Sequence, residues 1–258
     1  MSEVLYPKNS DQLAKHFLSD LNEIKYSSNS YAFAWNYYRN IVSAIAAANK
    51  THAMMEIGGG RYPLFSPDEA KKITSIYIVN DISQNELDKS PHKFQKQCFD
   101  ISGDLPSNMN ASVDFAFSYM VFEHLKNSNN AYKNIYDLLK PGGICLNFHP
   151  TLYSPPFVIN KLFPEPITKK ALKYFHQDRN DDEIPKFPAY YSLCKATDSN
   201  RRILLDIGFR DVAIIPFYGH DYFKRIPVIR EIDALISKFA RQRNWVALSS
   251  YAYTIVVK

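Results

Sequence analysis

Apolar positions in the first fifty residues recur at helical spacing. Leu13, Phe17, Leu21 and Ile24 mark one stripe and Phe33, Tyr37, Ile41 and Ile45 another. Two leading helices are expected, over about Asp11 to Ile24 and Tyr31 to Ala48. From Ala53 the texture changes to short apolar runs, Ala53 to Ile57, Ile76 to Val79, Val113 to Ser118 and Ile144 to Phe148, alternating with helical or loop stretches. The runs are largely continuous and are bounded by Gly, Asp, Asn or Pro. Continuous apolar strands are what a sheet buried on both faces requires, which implies parallel pairing with helical crossovers. Ala131 to Leu139 reads as a helix, stopped by Lys140, Pro141 and Gly142. The core is expected to be α/β.

Residues 150–196 break this rhythm. They are rich in Pro and aromatic residues (HPTLYSPPF, LFPEPI, KFPAYYSLC) and lack a long periodic stretch, which favours a functional cover over a passive connector. A helix over Asp198 to Ile207 follows, stopped by Gly208, then a strand over Val212 to Ile215. An amphipathic helix over Pro227 to Arg241 and a β-branched, aromatic closing strand over Tyr251 to Val257 complete the chain.

Composition narrows the function classes. The 258 residues are 46% hydrophobic and 22% charged, a globular balance that excludes disordered and fibrous chains. A net charge of +5 is too small for an obligate nucleic-acid binder but suits an anionic substrate or lipid surface. The three cysteines, Cys98, Cys145 and Cys194, fit neither a disulfide framework nor a zinc knuckle, so a reducing compartment is expected. No apolar run approaches the ~20 residues of a membrane span. The polar N-terminus lacks signal-peptide order, and the expectation is a soluble, cytoplasmic protein without a bound metal.

The chemistry concentrates at the ends of the expected strands. Three of eight glycines, Gly58, Gly59 and Gly60, directly follow an apolar run ending in Glu56 and Ile57. Missing side chains let a ligand approach the backbone, and the N–H groups of such a turn can bind anionic groups, although an ordinary strand-to-helix turn has the same composition. Asp81 ends the next expected strand about twenty residues later, where nucleotide-binding α/β folds place a carboxylate for ribose hydroxyls. Asp100 follows a third run, and VDFAFSYMVFEHL brings polar groups to the end of a fourth. All four features fall on one sheet edge.

Over about residues 50–150 this order resembles the class I S-adenosylmethionine-dependent methyltransferases of the broad small-molecule type. EIGGGRY resembles their glycine-rich first motif, VNDIS the acidic end of the second strand, and FDISGDLP the segment bearing an adenine-contacting acid. VDFAFSYMVFEHL with LLKPGGICL resembles the fourth and fifth strands. The resemblance implies a Rossmann-like, doubly wound, mostly parallel seven-stranded sheet with N-terminal helices and a lid inserted after the fifth strand. It implies one domain over 1–258: a helical cap (1–50), a cofactor-binding core (51–150), a lid (151–196) and the remainder of the core (197–258).

By that resemblance Glu56, Gly58, Gly59 and Gly60 hold the methionyl end of S-adenosylmethionine, whose product is S-adenosylhomocysteine. Asp81 with Ile82 binds at the ribose, Asp100 and Ile101 contact adenine, and Ser118 and Tyr119 lie beside the departing methyl. Tyr62 stands where many members carry another glycine, and Arg61 and Pro63 make the loop bulkier.

Methyl transfer from a sulfonium is an in-line displacement, for which alignment alone can supply roughly 7–11 kcal/mol. A hydroxyl or amine acceptor also needs a base; a carboxylate or phosphate does not. The candidate bases are His124, in the FEHL turn, and His149, at the end of the fifth expected strand; each could equally be structural. His149 should face the methyl-transfer side, while His176 and His220 lie in less legible loops. Tyr153, Phe157, Tyr190, Tyr191, Tyr218 and Tyr222 are the candidate acceptor wall, or simply rings packing the cover on the core. Trp35, Tyr37 and Tyr38 are placed to close the cofactor site, with Arg39 available for a carboxylate.

The expected activity is methylation of a small molecule, a sugar or other hydroxylated metabolite. Two alternatives stand beside it: a catalytically idle cofactor-binding partner subunit, and a nicotinamide-dependent oxidoreductase. The oxidoreductase lacks its third glycine here. The absence of an (N/D)PP(Y/F) tetrad and of an arginine-rich arm argues against nucleic-acid substrates. The helix over Pro227 to Arg241 packs on the core or meets an anionic lipid carrier, a membrane surface or a partner subunit, with Lys224 and Arg225 placed for a phosphate. The oligomeric state is left open.

Overall fold

Seven runs of residues pair into one sheet in a computed structural model that describes residues 29–162 and 187–258. The helix expected over 11–24, residues 163–186 of the expected cover and His176 lie outside the described residues. In chain order the elements are α1 (Tyr31–Ala48), β1 (Ala53–Ile57), α2 (Pro67–Ile73), β2 (Ile76–Asp81), α3 (Gln84–Lys89), β3 (Gln95–Cys98), β4 (Val113–Tyr119), α4 (Ser128–Leu138), β5 (Leu139–Pro150), α5 (Pro155–Leu162), α6 (Asp198–Ile207), β6 (Asp211–Phe217), α7 (Pro227–Gln242) and β7 (Tyr251–Val257).

The strand order β3-β2-β1-β4-β5-β7-β6 makes a Rossmann-like sheet. Strands β1 to β5 run parallel, and β7 lies antiparallel between β5 and β6. Strand order reverses between β1 and β4, the position at which open α/β sheets leave a crevice at their carboxyl ends. The β5–β7–β6 register sets Pro150, Tyr251 and Phe217 side by side. The start of β7 and the end of β6 therefore share the edge at which β1 to β5 finish.

Burial explains the central strands. Every residue of β1 is buried, as a strand covered on both faces must be. β3 is different: its sequence QKQC is polar and partly exposed, fitting a short edge strand that blunts further pairing with charge. The segment expected to be irregular opens with a helix, α5, which begins with two prolines, a residue type whose missing N–H costs nothing in a first turn. α2 and α3 both start from a serine whose side chain accepts a backbone N–H, the local signal that fixes them.

α1 lies on the face of the sheet that carries Phe148 and Tyr253, both within ring contact of Tyr38. Tyr38 is buried and its hydroxyl donates to the Ser118 carbonyl at 2.6 Å, so it belongs to the core and does not close a ligand site. Tyr37 stacks on Phe33 near the surface, and Arg39 is already paired with Glu69. Trp35 stands at the strand tips, half-buried and edge-on to Tyr119, Phe148 and Tyr251.

The Tyr38 hydroxyl bonds across two strands in a dry interior. Tyr38→Phe is expected to lower unfolding stability by about 1–3 kcal/mol in urea titrations, the cost of a buried carbonyl losing its partner.

Candidate active site

The glycine loop is bent by its own backbone. Gly58 and Gly60 have φ of +73° and +46°, a region that side chains resist. A Cβ on Gly58 would stand 2.5 Å from Val121 Cγ2, and one on Gly60 2.9 Å from Asp81 Oδ2. The loop therefore lies directly against the tips of β2 and β4, and its close approach requires glycine.

Glu56 supports this loop from below. It is only 4% exposed; its carboxyl accepts from the Leu64 amide at 3.0 Å and from the Tyr77 hydroxyl. Burial raises it to about 7 against those lowering hydrogen bonds. Its place is beneath the turn, so it positions Gly58 to Leu64 rather than reaching past them. Arg61, whose bulk set this loop apart, turns outward into a two-pronged pairing with Glu86 in the first turn of α3. The glycine loop is thereby clamped to the element that follows Asp81.

Asp81 Oδ1 accepts from the Ser83 amide at 2.8 Å while Oδ2 is the atom over Gly60. Partial burial raises this carboxyl as well. Ile82 beside it is exposed. Asp100 closes a turn with the Ser102 amide and hydroxyl, each at 2.8 Å, and the Ile101 side chain is buried. Asn130 and Asn134 of α4 hold the carbonyls of residues 101–103. They sit one helical turn apart on one face, a spacing that the motifs did not include.

At the tip of β4, Ser118 and Tyr119 part company. The Ser118 side chain is fully buried and donates to Asn147 Oδ1 at 2.9 Å, so it faces the sheet interior and not a ligand. Tyr119 takes the opposite side, against Trp35, with burial pushing its phenol up to about 12. Met120 then adopts φ +56°. A bulky residue in that region stores strain, a frequent mark of a functional turn that sequence could not reveal.

The two candidate histidines diverge. His149 is fully buried: Nδ1 lies 3.0 Å from the Pro150 carbonyl and Nε2 2.9 Å from the Thr254 hydroxyl. Burial lowers its pKa to about 4. Strand alternation is the reason, because Phe148 takes the α1 face and His149 the other. The expectation that it faces methyl transfer is corrected: it ties β5 to β7.

His124 sits in the 3-10 turn Phe122–His124 with a third of its side chain exposed. Its Nδ1 is 2.8 Å from the Pro188 carbonyl. A carbonyl can only accept, so Nδ1 carries the hydrogen and the neutral ring keeps its lone pair on Nε2. Nε2 lies 3.8 Å from Glu123 Oε1. Glu123 Oε2 is buried without a hydrogen-bond partner, and burial raises its carboxyl to about 8. The Glu123 carbonyl also receives the Tyr190 and Tyr191 amides at 2.7 and 3.1 Å, fastening the described end of the cover to this turn. Glu123 was legible as part of FEHL, but its partners 67 residues on were not.

The aromatic wall forms in part. Phe157 contacts Tyr191, Tyr222 and Tyr251, and Tyr251 meets Trp35, giving a row from the cover to Tyr119. Tyr251, a closing-strand residue, was not among the expected members. Tyr218 is buried and exchanges backbone bonds with Asn29 and Tyr31. Tyr153 and Tyr190 are exposed, and Tyr153 carries the Lys195 ammonium over its ring. His220 is buried with Nε2 3.3 Å from Asp233. Among the described residues no group of three or more His, Cys, Asp or Glu is placed to hold a metal ion.

A family model described as a methyltransferase domain matches residues 55–147, from the strand below the glycine loop to Asn147 in β5. The match spans about a third of the chain, and solved methyltransferases share its fold. A SAM-dependent methyltransferase from Archaeoglobus fulgidus is 20% identical, with 89% of this chain and 100% of that chain covered and a TM-score of 0.50. The Haemonchus contortus phosphoethanolamine N-methyltransferase 2, in complex with phosphomonomethylethanolamine and S-adenosylhomocysteine, is 18% identical, with 88% and 56% covered and a TM-score of 0.53. The carbon methyltransferase CurJ is 17% identical, with 96% and 61% covered and a TM-score of 0.51. No curated protein matches the chain. Among the described residues, no helix is long and apolar enough to cross a membrane.

Two buried carboxyls give the protein a pH signature. Glu56 and Glu123 are raised from 4.5 to about 7 and about 8. Between those limits the folded protein retains protons that the unfolded chain releases, so their contribution is full below pH 4.5 and is lost as pH rises through 7 to 8. Denaturant titrations of the ligand-free protein should show stability falling over this window. Glu56→Gln and Glu123→Gln should each flatten its own part of the slope.

Proposed function

We propose that the protein transfers a methyl group from S-adenosylmethionine to a hydroxyl of a small molecule, a sugar or another hydroxylated metabolite, in the cytoplasm. The single observation that favours a hydroxyl over a carboxylate or phosphate is the His124 ring, held at Nδ1 by the Pro188 carbonyl so that Nε2 can take a proton. A carboxylate or phosphate acceptor would have no use for such a base.

The cofactor fits the residues present. A glycine loop that any Cβ would fill, with a carboxylate over it at the switch between β1 and β4, suits a nucleoside joined to a short polar chain. In this reading Gly58, Gly59 and Gly60 present backbone to the methionyl end, held from below by Glu56. Asp81 takes the ribose hydroxyls with Ile82 alongside. Asp100 borders the adenine, and Ile101, its side chain in the core, adds only backbone. S-adenosylmethionine supplies, when bound, a methyl group on a positively charged sulfur.

The chain's own work is then alignment, desolvation and one proton transfer. Tyr119 and Trp35 line the approach from the α1 side, while Phe157, Tyr191 and Tyr222 form the apolar wall against which the acceptor lies. His124 Nε2 accepts the acceptor's proton. The 151–196 segment covers the site, and residues 1–258 act as one methyltransferase domain on a small molecule rather than a nucleic acid.

Turnover of methyl-labelled cofactor over a panel of hydroxyl, amine and carboxylate acceptors tests this reading. Hydroxyl acceptors should be labelled. His124→Ala should lower kcat by about 10²–10⁴-fold with S-adenosylhomocysteine binding unchanged, the contribution of a general base. Gly60→Ala should instead abolish binding. Labelling confined to carboxylates, or a His124→Ala variant of full activity, would overturn the assignment.

A further inference from the structure

α7 is amphipathic in the wrong direction for a core helix. Of its sixteen residues only Asp233 and Ala240 are buried, seven apart on one line. Val228, Ile229, Ile232, Leu235, Ile236 and Phe239 recur at helical spacing and are all exposed, from 43% to 70%. Trp245 extends the stripe at 51% exposure, its ring edge-on to Phe239 at 5.2 Å. A contiguous apolar face of this kind on a chain's exterior marks an interaction surface. The expectation of core packing for this helix is therefore replaced by a face turned outward.

The charges around the stripe choose the partner. Lys238 and Arg243 flank it, both exposed. From Ala234 to the last residue, Lys258, the sequence contains no Asp or Glu. The acids of the first turns are engaged: Glu231 with Arg230, and Asp233 against the buried His220. A second copy of this helix would bring like charges together with no acid in that stretch to pair them. An anionic surface meets the same cations favourably, while the apolar stripe enters the headgroup boundary and the long basic side chains reach up to the phosphates. The indole of Trp245, with Arg243 beside Phe239 at 5.3 Å, is the residue type that settles at that boundary.

We propose that α7 and Trp245 form a peripheral docking surface for an anionic phospholipid bilayer. The helix lies flat on the membrane, Ile232 and Leu235 immersed, Lys238 and Arg243 at the headgroups. Through Asp233 and His220 it is joined to the loop that bears Tyr218 and Tyr222, so docking sets that side of the strand-tip edge next to the membrane. The inference does not depend on the acceptor or on methyl transfer.

Co-sedimentation of the full chain with vesicles of equal parts phosphatidylcholine and phosphatidylglycerol, against pure phosphatidylcholine, tests it. Binding to the mixed vesicles alone is expected, weakening with salt and accompanied by a blue shift of tryptophan emission that Trp245→Phe removes. Ile232→Glu with Leu235→Glu should abolish binding without changing circular dichroism. Lys238→Gln and Arg243→Gln should each weaken it roughly fivefold, the equivalent of about 1 kcal/mol per cation. Three results would overturn the proposal: no binding to the mixed vesicles, equal binding to both vesicle types, or a dimer in solution that Ile232→Glu dissociates. Vesicle binding that appears only after deletion of residues 1–28 would overturn it too, by making the chain's own N-terminal segment the occupant.

Discussion

The Glu56 carboxyl group, cut off from water beneath the glycine loop, is the constraint on which the site depends. The Leu64 amide and the Tyr77 hydroxyl converge on it, and the loop above has no room for a side chain at Gly58 or Gly60. Charge buried in this way is costly unless it is hydrogen-bonded, and the group responds by holding its proton toward neutrality. The arrangement trades stability for a rigid, side-chain-free stretch of backbone at the strand tips. Arg61 and Glu86 fix the far end of the same loop, so a segment built to be bare is pinned from both sides.

The second organising fact is the antiparallel strand β7. By entering between β5 and β6 it brings the start of one strand and the end of another to the carboxyl edge of five parallel ones. Tyr251 thus joins Trp35 and Phe157, and residues from separated stretches of chain make one aromatic row. The described end of the cover is fastened opposite, by amides of Tyr190 and Tyr191 on the Glu123 carbonyl. Main-chain bonds of this kind hold the described end of the cover to the turn that presents His124, so that ring and the aromatic row are set by one joint.

What the sequence made legible was local. β1, α1, α6 and β7 were bounded correctly because a buried strand must be continuously apolar and because Gly208, at φ +120°, ends a helix in a conformation other residues avoid. The glycine loop and Asp81 were found by spacing alone, and the structure brings them into contact. Side-chain direction was another matter. Ser118 and His149 sit on the right strands but point into the interior, because alternation along a strand gives the ligand edge to Tyr119 and the α1 face to Phe148. Pairings over long separations, such as His124 with Pro188 or Arg61 with Glu86, left no periodic trace. α7 carried a clear apolar stripe, yet periodicity says which residues share a face and nothing of what the face meets.

Everything in the functional account requires a nucleoside-bearing ligand of the sulfonium family over the tips of β1, β2 and β4. Calorimetric titration of the full chain with S-adenosylhomocysteine and, separately, with NAD measures this most directly. The account predicts one S-adenosylhomocysteine bound per chain and no heat from NAD. Saturable binding of NAD with none of S-adenosylhomocysteine would contradict it.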